Sequence, residues 1–486
     1  MAERLYAKCV SELSRMVHQK EIKPSELCAG LFSRCDNVEP KINAFICLDR
    51  EAAMQRAKEL DEIPITPQTS RLFGIPIAIN DNICTRDMPT TCASKMLKDF
   101  RPPFNATAVS RLCEQGAVIM GKTNMDEFAM GSSGETSIFG PARNPHDTGR
   151  VPGGASSGSA AAVAAGSAVL ALGSDTGGDV RLPAAFCGTV GYKPTYGAVS
   201  RYGLISYAGS LDQIGTLSRT VSGAALLASA IAGHDPMDAT SNPGFIPDFS
   251  GIEEFDVKNK RIGVIKECFD QLPDDMYKGI NVAKEIYKSL GAIVEDVSLP
   301  MINHSLPIHY IIALAEASSG LAKYDGVRFG HRCDKFDDID SLYVNSRTEG
   351  FGAAVKQRIW LGTYLLSGPN IDAYYKRARI AQAMLREQFK DCLAKYNVLL
   401  TPVSPITAFR FEERPNNSTI RLTHKFTAPV NAVGLPAVSL PCSKDRSGMP
   451  VNFQLIGKWF DDSALFGFAR ALERNADATI PVAEVK

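Results

Sequence analysis

The stretch Val151–Ser200 contains VPGGASSGSAAAVAAG at 151–166, LALGSDTGGDVRLPAAFCG at 170–188 and GYKPTYGAVS at 191–200. Gly153 and Gly154 permit a tight turn, and Ser156–Ser159 open a small-residue helix that continues through Ala165. With Ala and Gly on every face, such a helix lets neighbouring backbones come close, which predicts a buried position. Val169–Leu172 reads as a short buried strand. It breaks into Ser174-Asp175-Thr176-Gly177-Gly178, a loop whose free N–H groups can form a nest for an oxyanion or a phosphate. Taken singly, either glycine-rich turn is equally well a connection between packed elements.

Outward from this stretch the pattern alternates strand and helix. Gly74–Ile79 and Ala117–Met120 are apolar and strand-like, and Ala106–Cys113 between them is helical. The alternation predicts an α/β fold with a large mixed, mostly parallel sheet flanked by helices on both faces. Ligands of open sheets sit at loops off the carboxyl ends of strands, where Asn80, Lys122 and the 174–179 loop fall. Before this core, helices are expected over residues 4–18, 24–34 and 50–60, with a strand at 42–48. After it come helix 221–232, strand 261–265, helix 276–290 and strand 292–296. A mostly helical segment then runs from about 300 to 390. Strands at 396–403, 435–440 and 451–456 and a helix at 464–472, capped by Ser463, complete the pattern. The whole is expected to be one domain over 1–486: N-terminal helices to 65, core 66–300, helical insertion to about 390, and a C-terminal return to the core over 391–486.

Composition narrows the function only by exclusion. The 486 residues are 45% hydrophobic, ample for a large core, and Lys+Arg and Asp+Glu both number 53, so no global basic field points to nucleic acid. Twelve cysteines without a CxxC pair read as reduced, mostly buried thiols, and seven histidines form no HExxH cluster. Neither a metal site nor a cofactor is called for. The N-terminus MAERLYAKCVSELSRMVHQKEI lacks a signal core and the Arg/Ser-rich character of a transit peptide, and no run of apolar residues is long enough to span a membrane. A cytoplasmic location follows as an expectation, with an organelle matrix as the alternative.

Further stretches join the central one: GIPIAIND (74–81), TTCASKML (90–97), GKTNMDEFAMGSS (121–133), SLDQIG (210–215) and RIWLGTYLLS (358–367). Together they resemble the amidase signature family over nearly the whole chain, in particular the A subunits of its glutamyl-tRNA(Gln)/aspartyl-tRNA(Asn) amidotransferases. The resemblance implies the amidase-signature fold and a Ser–cis-Ser–Lys triad. Its lysine belongs at the end of the strand before Asp81-Asn82, its bridging serine directly after Gly153-Gly154 and its nucleophile directly after Gly177-Gly178. Those positions here are Asn80, Ala155 and Asp179.

All three are wrong for amide hydrolysis. An amide nitrogen is not basic, so Asn80 cannot take a proton, and Ala155 has no polar side-chain atom. Asp179 is a poor acyl acceptor, and its carboxylate would occupy the nest meant for a developing oxyanion. A one-residue slip could place Ser156 in the bridging position, but supplies neither a lysine at 80 nor a hydroxyl at 179. Lys122 is expected to be a structural donor rather than a surrogate base, since the family carries a lysine there too.

The resemblance also implies a substrate pocket. Thr176, Gly177 and Gly178 form the nest, and Arg358 matches an arginine that anchors the substrate's carboxylate, a task suited to a guanidinium fork. Read without the family, Arg358 is equally a salt-bridged helix arginine. His424 stands near the acidic position that holds the substrate's amino group. Three readings follow. One is a pseudoamidase of the A-subunit type that assembles with the B and C subunits of the amidotransferase and meets tRNA only through that complex. Another is a binder of an amine or amino acid such as glutamine. The third is an active glutamine amidohydrolase, if the three replacements arose by engineering or sequence error.

Overall fold

The structure, a computed structural model, describes residues 2–270, 272–411, 413, 422–475 and 480–485. Its strands are β1 (Phe45–Leu48), β2 (Pro76–Asn80), β3 (Val118–Thr123), β4 (Leu170–Asp175), β5 (Val190–Lys193), β6 (Gln213–Ser218), β7 (Arg261–Ile265), β8 (Ile293–Val297), β9 (Val398–Pro402), β10 (Ala437–Lys444) and β11 (Pro450–Ile456). They form one 11-stranded sheet in the order β1-β3-β2-β4-β6-β5-β10-β11-β9-β7-β8, flanked by helices. The expectation of mostly parallel pairing is corrected here. Only β2 with β3 and β4, and β7 with β8 and β9, pair parallel. The remaining pairings, from β4 through β6, β5, β10 and β11 to β9 and at the β1 edge, are antiparallel. The reason is partly local: the tight turn in which Asp445 N donates to Met449 O at 2.8 Å folds β10 back onto β11, and a hairpin can only be antiparallel.

The small-residue helix α5 (Ser157–Ala165) is buried along its entire length and packs against β2, β3, β4 and β6. Its composition is what permits this. A Cβ on Gly158 would stand 2.5 Å from Asn124 N, and Gly158 N donates to Asn124 O at 2.8 Å, so the helix start touches the backbone after β3.

Four expected boundaries move. The 4–18 helix divides into a 3₁₀ turn (Ala2–Ala7) and α1 (Val10–His18), because Glu12 turns back to accept from Cys9 N at 3.1 Å and opens a new helix there. Helix α2 (Pro24–Ile42) runs past residue 34, since Leu27, Leu31, Cys35, Val38 and Ile42 keep one buried stripe. The strand expected from 42 therefore starts at Phe45. Ser463 is not a cap: α14 (Asp462–Asn475) starts at Asp462, whose buried carboxylate accepts from Thr195 N at 2.9 Å and Thr195 Oγ1 at 2.7 Å.

The remaining core helices are α3 (Arg50–Asp61), α4 (Thr107–Glu114), α6 (Arg181–Cys187), α7 (Val221–Ile231) and α8 (Asp274–Ser289). The segment after β8 supplies α9 (Ser305–Gly320), α10 (Ile339–Gly350), α11 (Ala353–Leu366) and α12 (Arg377–Lys395), and α13 (Ala428–Val433) precedes β10. Helix α9 packs on α11, α12 and α13. Among the described residues no helix is long and apolar enough to cross a membrane.

Candidate active site at the Thr176–Gly178 loop

β4 delivers Asp175 at its carboxyl end, and the chain then turns through Thr176, Gly177 and Gly178 into α6. Gly178 sits at φ +128°, a conformation open to glycine, and a Cβ there would collide with the Thr427 hydroxyl. The turn is built on a buried ion pair. Arg181 Nη2 lies 3.0 Å from Asp175 Oδ1 and Arg181 Nε 3.1 Å from Oδ2, while Gly178 N (2.8 Å) and Val180 N (3.1 Å) donate to the same carboxylate. Arg181 also donates to Gln454 Oε1 at 2.9 Å and Asn431 Oδ1 at 2.5 Å. Burial alone would raise the Asp175 carboxyl, but the Arg181 guanidinium holds it far below the usual carboxylate range.

The nest is occupied by the chain itself. Asp179 Oδ2 accepts from Thr176 N at 2.9 Å and Gly177 N at 2.8 Å, and Asp179 Oδ1 accepts from Ala155 N at 3.2 Å. Ala155 follows a cis peptide bond to Gly154, and Ser156 N donates to Asp179 O at 3.0 Å. Burial, then the neighbouring Asp175 charge, pushes the Asp179 carboxyl well above its ordinary range, against the pull of its backbone donors. The 155 and 179 positions are thus in contact. Asn80 joins them through a relay: Asn80 Nδ2 donates to Asn82 Oδ1 at 3.0 Å, Asn82 Nδ2 to Ser174 Oγ at 2.8 Å, and Ser174 N to Ser156 Oγ at 3.1 Å. The Ser156 hydroxyl also donates to Ser174 O at 3.1 Å, so it is committed to the end of β4 and takes no part in a relay to Asp179.

Two histidines clamp the loop from the other side. His424 Nδ1 lies 2.9 Å from Gly177 O and His309 Nε2 2.9 Å from Thr176 O; carbonyls only accept, so both ring nitrogens donate. Thr427 Oγ1 adds a second donor to Gly177 O at 2.7 Å. Burial lowers His309 and brings His424 down to about 4, so both are neutral near pH 7. Their remaining nitrogens, His309 Nδ1 and His424 Nε2, are buried without a partner. His424 therefore acts on the loop backbone and offers no negative charge to an amino group.

Arg358 on α11 makes no ion pair with a described residue. It donates from Nη1 to Ala354 O at 3.1 Å, its Nε is buried without a partner, and its charge bears on Tyr207 and Asp126. Asp126 N in turn donates to Ala155 O at 3.1 Å, which connects Arg358 to the site. Lys122 is committed: Nζ donates to Ile83 O at 2.5 Å, Thr90 Oγ1 at 2.9 Å and Thr85 Oγ1 at 3.4 Å. Burial lowers it while Asp81 opposes, an arrangement that suits a structural ammonium. Among the described residues no group of three or more His, Cys, Asp or Glu could hold a metal ion.

His309, Thr427 and the Arg181–Asp175 pair carry no spacing signal in the sequence. Asp212 does stand in the quoted SLDQIG stretch, and it accepts from Thr176 Oγ1 at 2.7 Å and from Ala208 N at 3.1 Å. What the assembled site can do is hold its own backbone donors around a carboxyl group. No hydroxyl stands at 179, and the two imidazoles that face the loop each donate a ring N–H to one of its carbonyls.

The A subunit of the glutamyl-tRNA(Gln) amidotransferase of Carboxydothermus hydrogenoformans is 50% identical over 476 residues, 97% of this chain and 98% of its own length. That of Caldanaerobacter subterraneus subsp. tengcongensis is 47% identical, covering 97% and 96%. The crystal structure of the corresponding Thermotoga maritima protein superimposes with a TM-score of 0.83 at 39% identity, covering 99% of this chain and 98% of that one. The native peptide amidase of Stenotrophomonas maltophilia does so with a TM-score of 0.85 at 28% identity and 98% of each chain. The profile of the family described as Amidase matches residues 26–466, and the chain belongs to that family.

Proposed function

We propose that this chain is the A-type component of a cytoplasmic tRNA-dependent amidotransferase, one that works through assembly and does not hydrolyse glutamine. The observation that carries the reading is the Asp179 carboxyl group seated on Thr176 N, Gly177 N and Ala155 N. Those donors would otherwise stabilise the oxyanion of an acyl transfer, whose loss alone is worth about 10²–10³ in turnover. Loss of a cooperating triad costs on the order of 10⁴–10⁶. The similarity to amidotransferase A subunits over nearly all of both chains supports retention of the surfaces for the B and C subunits. In that arrangement tRNA is met through the complex.

The test is ammonia release from glutamine and asparagine by the purified chain, with and without the B and C subunits, together with retention of the B subunit on the tagged chain. The expected result is no release above buffer and intact retention. Turnover would overturn the loss of catalysis and favour the ordinary amidohydrolase; failure to retain the B subunit would overturn the role in assembly.

A second reading has one observation in its favour. Arg358 makes no direct ion pair with a described residue and has a buried Nε without an acceptor, as a guanidinium kept for a ligand's carboxylate would have. Calorimetric titration of glutamine and simple amines tests it, and the absence of saturable heat removes it.

A further inference from the structure

Away from the Gly-rich loop, a cleft of about 380 Å³ opens between one face of α12 and the turn that follows α13. Arg379, Gln382, Ala383 and Arg386 stand at i, i+3, i+4 and i+7 of α12 and therefore share that face. The opposite wall is aromatic, made by Trp459, Phe460 and Tyr196. The carbonyls at the end of α13 are already satisfied. Gln382 Nε2 donates to Ala432 O at 2.6 Å, Trp459 Nε1 to Val433 O at 2.9 Å, and Tyr196 N to Gly434 O at 3.1 Å. The charge in the cleft is not. Neither Arg379 nor Arg386 has a hydrogen bond or ion pair with a described residue, and no Asp or Glu lines the cleft. The Arg386 guanidinium lies 5.0 Å from the Trp459 ring centroid, a cation–π contact that uses none of its N–H donors on an acceptor.

We propose that this cleft is a binding site for a small organic oxyanion, a phosphate or carboxylate attached to a flat ring. The two arginines would take the oxyanion and the Trp459–Tyr196 wall would take the ring. The volume lies in the range of small-ligand sites, and paired guanidinium groups recognise both oxyanions by the same fork geometry. The site is independent of amide chemistry. Its floor is nevertheless shared with the Gly-rich loop, because Asn431 lines the cleft and donates through Nδ2 to Asp175 Oδ1 at 2.9 Å.

The experiment is isothermal titration of the full chain with AMP and with indole-3-acetate, each beside its parts: adenosine and inorganic phosphate, indole and acetate. The expected result is saturable binding of at least one ring-bearing anion, at least about tenfold tighter than either of its parts. Whether AMP or indole-3-acetate binds tells the phosphate source from the carboxylate source. Arg379→Glu and Arg386→Glu, both at exposed positions, are expected to weaken binding about tenfold or more with the ligand-free melting temperature unchanged. No saturable heat with either anion up to about 5 mM would overturn the proposal. So would binding that survives the Arg379→Glu/Arg386→Glu double variant.

Discussion

His424 shows how one side chain alters the chemistry of a pocket. An acidic group at this place could hold an ammonium; the imidazole instead donates an N–H hydrogen bond to Gly177 O and stays neutral. Its folded value of about 4 lies below the ordinary 6.5, so the unfolded chain binds more protons between those values. Stability from this group is therefore complete above about pH 6.5 and declines as pH falls toward 4. Between pH 6.5 and 5 the loss amounts to about 2 kcal/mol. His424→Gln keeps a donor but cannot titrate, so its melting temperature should fall less than that of the wild type over the same interval. Equal slopes in a pH series of thermal melts would show that His424 is not the group responsible. None of this is legible from RLTHKFTAPVN, because the partner of His424 is a backbone carbonyl 247 residues away. The meeting of Ala155 and Asp179 is foreshadowed in the sequence, where each directly follows a Gly-Gly pair.

At the scale of an element, the turn into α6 depends on one buried pair. Removing one partner of such a pair leaves the other charged and unpaired, at a cost of about 3–5 kcal/mol. Arg181→Met should lower the unfolding free energy in a urea titration by that amount, and adding Asp175→Asn should recover part of it; the double variant measures the interaction. Gly178→Ala combines a left-handed backbone with a collision at Thr427, and should cost about 2–3 kcal/mol in the same measurement. Element identity is readable where composition is distinctive, as in the small-residue run of α5. Boundaries were not readable where a side chain elsewhere in the chain decided them. Asp462 becomes the start of α14 because Thr195 and Tyr192 engage its carboxylate, a contact that local pattern cannot reveal.

At the scale of the molecule, the sequence suggests mostly parallel strands because β2, β3 and β4, which do pair parallel, lie in its most legible part. The antiparallel centre arises from pairings between segments far apart, such as β5 with β10, where Ala437 faces Lys193. The proposed function makes its prediction here as well. Asn80→Lys, Ala155→Ser and Asp179→Ser together should restore measurable glutamine hydrolysis if only the triad is lost, and a folded but silent triple variant would direct attention to His424. The loop itself is fastened by residues from α9 and from the segment before α13, so its order depends on chain beyond residue 420. Backbone donors reserved for a ligand exchange their protons with solvent whenever the ligand leaves. Those of Thr176 and Gly177 are closed by a carboxyl group three and two residues away in the same chain. In deuterated buffer with no ligand present, these two amides should be among the slowest in the protein to exchange, released only when the clamp of α9 and residues 424–427 opens.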